Sequence, residues 1–234
     1  MLFFGARQLV NPLTQGPCVM TSKNAAQESL ERLKSGNERF TQGLRSVNSF
    51  ATEVKLRTLA EKGQRLFATV LTCSDSRLPA ELLFDQGFGD LFVVRVAGNV
   101  VAPSLIASME FAALSFETPL ILVMGHSRCG AIKAASDHVA EPSTLLTENI
   151  RDLVSRIEPA VHRTKKLSPL LKGEEFLHEC TKMNVEHSMS TILEQSKTLR
   201  DLAKNGKLEI HGAFYDLASA KVTFMNGPTY TDTV

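Results

Sequence analysis

Three short runs, "RLFATVLTC" (65–73), "DLFVVRVA" (90–97) and "LILVMGH" (120–126), are almost continuously apolar and rich in β-branched residues. A strand with one wet face alternates polar and apolar positions, so unbroken runs predict parallel strands covered on both faces. Between them, "LPAELLFDQ" and "APSLIASMEFAALSF" carry apolar residues at helical spacing. The simplest topology is therefore β-α-β-α-β. After the third run "GAIKAASDHV" begins another helix, and "KLEIHGAFYD" and "KVTFM" predict two further strands joined by a short turn.

Upstream, "NAAQESLERLKSGNERF" (24–40) sets Ala26, Leu30, Leu33 and Phe40 near helical spacing among charged residues. This predicts an amphipathic helix that ends near Gly36 and packs on the core or on a partner subunit. A second helix is expected over 52–61, closing at Gly63. Residues 141–205 read as mostly helical and polar, broken at Pro142, Pro159, Pro169 and Gly173, with the last helix over 182–204. The expected fold class is α/β: a central, mostly parallel sheet of four strands plus a fifth edge strand, flanked by helices, with an N-terminal helical arm. Residues 1–20 start apolar but break at Gly5 and Arg7, without the continuous apolar core of a secretory signal. They are expected to form a flexible arm or a short targeting extension, and residues 21–234 a single domain.

Composition then narrows the partners. The 234 residues are 43% hydrophobic and 22% charged, ordinary proportions for a globular chain with a sizeable core. Lys+Arg at 26 against Asp+Glu at 25 leaves a formal charge of +1, so nothing favours nucleic acid or an acidic membrane surface. A small neutral or anionic substrate fits better. No apolar run reaches the roughly 20 residues that span a bilayer, and cytoplasmic residence is expected, with organellar targeting by the N-terminal extension left open. Four cysteines, Cys18, Cys73, Cys129 and Cys180, are too few for a disulfide scaffold and form no C-x-x-C pair.

The chemistry gathers at the ends of the strand runs. In an open parallel sheet, ligands bind at the carboxyl ends of the strands; Cys73 ends the first run, and His126 with Cys129 ends the third. Two thiols and an imidazole select Zn²⁺ over hard cations, which take oxygen ligands. Structural zinc sites fill four positions from Cys and His, whereas catalytic ones supply three and leave the fourth to water. No fourth Cys or His lies beside these three, so an open site is favoured. Taken singly, Cys73 would read as a small buried hydrophobe and His126 as a hydrogen-bonded structural histidine. Their conjunction carries the metal reading, and Cys18 and Cys180 lie outside it.

"CSDSR" (73–77) adds an acid and a guanidinium. Asp75 and Arg77 sit two apart, so in an extended segment their side chains leave on the same side and can pair. An Arg that grips a carboxylate bidentately keeps it ionised and oriented. Such an acid either accepts a hydrogen bond from water at the metal or takes the fourth metal position itself. Elsewhere an Asp/Arg pair would be a surface ion pair of little worth.

"CSDSR", "GDLFVVRVAGN" and "GHSRCGA", in this order and spacing, resemble the β-class carbonic anhydrases, and the similarity runs on through "NVEHSMSTILEQSKTLRDLAKNGKLEIHGAFYDL" to cover roughly residues 24 to 225. The resemblance implies zinc-dependent reversible hydration of carbon dioxide to bicarbonate and a proton. It makes Cys73, His126 and Cys129 the zinc ligands, Asp75 and Arg77 the catalytic dyad, and Gly130 a residue of the substrate pocket. It also implies a homodimer or homotetramer. Members with an allosteric bicarbonate pocket carry a Trp three residues before the first Cys; that position is Val70 here and the chain has no Trp, which puts this form of regulation in doubt. Two alternatives stay open at this point. One is hydrolysis of carbon disulfide or carbonyl sulfide on the same scaffold. The other is a non-catalytic zinc or redox-sensing protein, which would not need Asp75 and Arg77.

Overall fold

The computed structural model describes residues 22–46, 53–142 and 147–227. The arm expected over residues 1–20 lies outside them. Five strands form one sheet: β1 (Ala68–Thr72), β2 (Leu91–Arg95), β3 (Leu120–His126), β4 (Glu209–Tyr215) and β5 (Val222–Met225), in the order β2-β1-β3-β4-β5. The first three pairings, β1 with β2, β1 with β3 and β3 with β4, are parallel, and only β4 with β5 is antiparallel. This is the four-strand parallel sheet with a fifth edge strand that the apolar runs predict. Every residue of β1 and β3 is buried, which is why those two runs show no polar alternation.

Helices cover both faces. Val70, Leu120, Leu122 and Met124 face one layer with Leu33, Ile132, Ile157 and Val161. Leu71, Ile121 and Val123 face the other, with Met109, Val185, Ile192 and Leu199. The first layer comes from α1 (Ser22–Thr41), α5 (Gly130–Ala140), α6 (Glu148–Ser155) and α7 (Glu158–Leu167), reached in chain order after α2 (Glu53–Lys62), α3 (Ala80–Leu83) and α4 (Pro103–Ser115). The second comes from α4, α8 (Gly173–Gln195) and α9 (Lys197–Lys204). No helix among the described residues is long and apolar enough to cross a membrane.

Three helix expectations are corrected. First, α1 does not end at Gly36 but continues to Thr41. Gly36 is there because the helix touches the end of α3: a Cβ at Gly36 would lie 1.9 Å from the Phe84 carbonyl oxygen. Asn37, next along the helix, donates to the Leu83 and Ala220 carbonyls, both at 3.1 Å, and accepts from Val222 N at 2.8 Å, so it ties α1 to β5. Second, "LPAELLFDQ" is helical only over Ala80–Leu83. Asp85 turns out of the helix with φ +47° and buries its carboxylate against Arg39 Nε at 2.6 Å and Ser46 N. Third, the helix expected over 182–204 is two. The break is at Ser196, whose hydroxyl accepts from Leu199 N at 3.0 Å as the cap of α9 and donates to Glu110 Oε1 of α4 at 2.5 Å. The breaks expected at Pro159 and Gly173 are present, each at the start of a new helix, α7 and α8; proline is tolerated in a first turn, where its missing N–H has no partner to lose.

In an exposed helix, Gly→Ala would stabilise by up to about 1 kcal/mol. Gly36→Ala is expected to have the opposite sign and to cost about 1–3 kcal/mol, because the backbone of Phe84 has no room to yield. Urea unfolding checks this, and a midpoint at or above that of the parent protein would show that α1 does not rest against α3.

Candidate metal centre

β1 and β3 are neighbours, with Thr72 in register with Met124, so the residues that follow them emerge side by side at the carboxyl edge of the sheet. Cys73 is the first residue after β1 and His126 the last of β3. Arg128 turns the chain with φ +56° and delivers Cys129 to the N-cap of α5. The ligand atoms of Cys73, His126 and Cys129 lie within 4.8 Å of one another, all three residues buried. Tetrahedral bonds of about 2.0 to 2.3 Å put neighbouring ligand atoms about 3.5–3.8 Å apart, so a small inward movement closes the set on one ion.

The imidazole shows the fit most directly. His126 Nδ1 is 2.9 Å from the Ser127 carbonyl oxygen, an acceptor, so Nδ1 carries the proton and Nε2 the lone pair. Nε2 is fully buried and has no hydrogen-bond partner. An unpartnered buried polar atom is costly, and a metal ion would satisfy it. A hydrogen bond that fixes the tautomer through the second ring nitrogen is the usual arrangement around a ligating histidine.

The thiols make the same case. The Cys129 thiol beside it holds Cys73 well below the ordinary thiol range, against the effect of burial, with help from His126 and from Gly98 N, which donates to Cys73 Sγ at 3.3 Å. Hydrogen bonding to the Cys73 sulfur and burial push the Cys129 thiol up, although the N–H groups of Ile132 and Ala131 at the start of α5 pull the other way. The two thiols are thus pushed in opposite directions, and a divalent cation would let both sulfurs be thiolates at once.

Asp75 and Arg77 pair as their spacing suggests. Arg77 Nε and its backbone N both donate to Asp75 Oδ1 at 2.9 Å, and Nη2 donates to Oδ2 at 2.7 Å. This grip holds the Asp75 carboxyl far below the usual carboxylate range. Gly130, the first residue of α5, has open space where a Cβ would stand. It lines a cavity of about 770 Å³ together with Arg77, Cys129, Leu177, Tyr215 and Asp216.

Several supporting residues escaped the sequence reading. Arg95, the last residue of β2, donates through Nε to the Cys73 carbonyl at 3.1 Å and through Nη2 to the Asp75 carbonyl at 2.5 Å, so it clamps the backbone of the "CSDSR" loop. Gly98 takes φ +69° in the turn after β2 to aim its N–H at Cys73. Asn184 and Ser188 of α8 donate to the Gly98 and Asn99 carbonyls at 2.8 and 3.0 Å and hold that turn in place. A charged residue closing the apolar run "LFVVR" was the available signal for Arg95; nothing local marks Asn184, which acts 86 residues from Gly98.

A family model described as carbonic anhydrase matches residues 68–222. Carbonic anhydrase 2 of Mycobacterium tuberculosis is 35% identical over 185 residues, covering 79% of this chain and 86% of the relative. Carbonic anhydrase of Mycolicibacterium smegmatis is 36% identical over 193 residues, covering 81% and 88%. β-carbonic anhydrase 3 of Arabidopsis thaliana is 29% identical over 196 residues, covering 81% and 74%. Among solved structures, the β-carbonic anhydrase CcaA superposes with a TM-score of 0.67 at 25% identity, covering 85% of this chain and 99% of that one. With the sheet order, the matched span and these relatives in agreement, this chain belongs to the carbonic anhydrase family and, within it, to the β class.

Proposed function

We propose that the chain hydrates carbon dioxide reversibly to bicarbonate and a proton, with Zn²⁺ held by Cys73 Sγ, His126 Nε2 and Cys129 Sγ. The observation that carries this reading is the buried, unpartnered His126 Nε2 at the end of β3, gathered with the sulfurs of Cys129 and of Cys73, the residue after β1 that Asp75 and Arg77 closely follow. Zinc in such a site supplies a Lewis acid that lowers the pKa of water, the Zn²⁺ set of two sulfurs and one nitrogen leaving a fourth position for it. Two thiolates offset more of the metal's charge than three imidazoles would, so the active form should appear at higher pH than the value near 7 of an all-histidine site.

The protein's own residues then do four things. Asp75, kept ionised by Arg77, accepts a hydrogen bond from the attacking water and orients its lone pair toward carbon dioxide. Arg77 holds the carboxylate; with both its oxygens engaged, Asp75 stands outside the three-ligand cluster, which favours the open arrangement over one closed by Asp75. Arg95 and Gly98 fix the loop and the sulfur on which that geometry depends. Gly130 leaves room for the substrate beside Cys129. The hydrolase alternative draws no support from the relatives named above, all of which are carbonic anhydrases.

We read residues 21–234 as one domain, since the sheet takes its strands from residues 68 to 225. We also propose that it works as a homodimer or homotetramer in the cytoplasm. Phe88 and Phe111 are more than half exposed, as apolar residues awaiting a partner surface would be, and free thiols such as Cys180 persist in a reducing compartment. Two β-carbonic anhydrases of Sordaria macrospora, which share the fold at a TM-score of 0.64 and 24% identity for the matched chain, are described as tetrameric.

Asp75→Asn is expected to retain zinc and to lose turnover by about 100-fold or more, whereas Cys73→Ser loses the metal; stopped-flow hydration with metal analysis of the same samples separates the two. A zinc-replete Asp75→Asn protein at the parent rate would remove the role given to Asp75. Because both sulfurs must be thiolates to hold the ion, zinc uptake by the metal-free protein should release protons, and affinity should rise with pH and fall as acid is added. Chelator competition at several pH values reads this, and a pH-independent affinity would argue against thiolate ligation. Light scattering coupled to gel filtration should return a mass of two or four chains, and a monomer would refute the assembly.

A further inference from the structure

Hydration of carbon dioxide makes one proton per turnover, and the residues placed so far do not carry it away. One O–H bond of water breaks as the C–O bond of bicarbonate forms, and the proton must reach bulk buffer before the next cycle. Asp75 is a poor acceptor, because Arg77 holds its carboxyl far below the usual range. An acceptor has to lie on the cavity that reaches the metal centre, be open to solvent on its other side, and titrate near neutral pH.

Of the six histidines, His126 is a candidate ligand and four others face elsewhere: His162, exposed on α7, is not among the residues that line the cavity. His138 approaches Glu158 at 3.8 Å, His211 Nε2 is 2.8 Å from Glu209, and His187 of α8 is half-buried toward Arg163 and Glu194. His178 lines the same 770 Å³ cavity as Arg77, Cys129 and Gly130. Its ring lies flat on Phe214 of β4, with centroids 4.1 Å apart and 6° between the planes. The stack covers one ring face and fixes the plane while both nitrogens stay at the ring edge, which suits proton transfer through water. His178 is itself exposed, so the same ring meets the solvent.

We propose that His178 is the proton-transfer residue of this enzyme: it accepts the proton released at the metal centre through water in the cavity and passes it to buffer. The inference rests on the carbonic anhydrase reading above. The charged groups around the ring are compatible with the role. Lys182 on the same helix opposes a protonated ring, while Glu179 on that helix and Asp216 beyond β4 favour it; partial burial outweighs them and lowers the pKa from that of a free imidazole. Arg128 and Lys133 from the α5 side also line the cavity, but each is paired, with Glu174 and Asp137. The neutral ring is therefore the form available to take a proton at neutral pH, and it returns the proton readily.

The experiment is stopped-flow hydration of carbon dioxide by the zinc enzyme at high and low buffer concentration, for the parent protein, His178→Ala and His178→Gln. Gln keeps a planar polar group on Phe214, so it tests the role even where Ala disturbs the stack. In low buffer both variants are expected to lose kcat by about tenfold or more while kcat/KM, which reports the carbon dioxide step, stays at the parent value. Added imidazole should restore kcat. His211→Gln, away from the cavity, should match the parent throughout. Unchanged kcat in low buffer, or a parallel fall of kcat and kcat/KM without imidazole rescue in both variants, would overturn the assignment. A parent protein that does not hydrate carbon dioxide at all would instead overturn the reading on which it rests.

Discussion

The energetic problem at the centre of this fold is a buried cluster of two thiols and one imidazole nitrogen, of which the nitrogen has no protein partner. Cys73 and Cys129 are pushed in opposite directions, the first well below and the second above the ordinary thiol range. Left alone, such a cluster is a cost to stability. Closed on a divalent cation, it would become a site in which every ligand atom is used, and the binding free energy of the ion would also stabilise the fold. The parallel pairing of β1 with β3 makes the cluster possible, because it brings residues 73 and 126 to the same edge although 53 positions of sequence separate them.

Support for the cluster comes from two directions. From the edge of the sheet, Arg95 grips the carbonyls of Cys73 and Asp75. From the opposite layer, Asn184 and Ser188 on α8 hold the 98–99 turn, and the turn presents Gly98 N to Cys73 Sγ. The chain of contact thus runs from a helix through a strained turn to a sulfur. Gly98 is suited to it because the turn needs a positive φ, and a Cβ there would also stand 2.8 Å from Ile157 Cδ1. On the far side of the cavity α8 presents His178, so one helix both anchors the ligand loop and carries the proposed exit for the proton.

Legibility followed the range of the interaction. The strand runs were plain because full burial on both faces leaves an unbroken apolar string, and β1 and β3 are buried at every position. The Asp75–Arg77 pair was plain because its geometry is set within three residues. Helix ends were less so. Gly36 reads as a stop signal in isolation, yet it serves a helix–helix contact with Phe84, and the break at Ser196 depends on Glu110, 86 residues away. Arg95 reads as the polar end of a strand, and its two carbonyl partners appear only once β1 and β2 lie side by side.

By itself the sequence determined which residues could ligate a metal, the acid and the guanidinium beside them, and the alternation of strand and helix that must bring them to one edge, since these rest on side-chain chemistry and local periodicity. Tertiary structure decided the orientation of the imidazole, the burial of its free nitrogen, and the meeting of that nitrogen with the two thiols. It also decided which of six histidines looks into the cavity. Those properties depend on burial and on contacts between segments far apart in the chain, and no local pattern of residues encodes them.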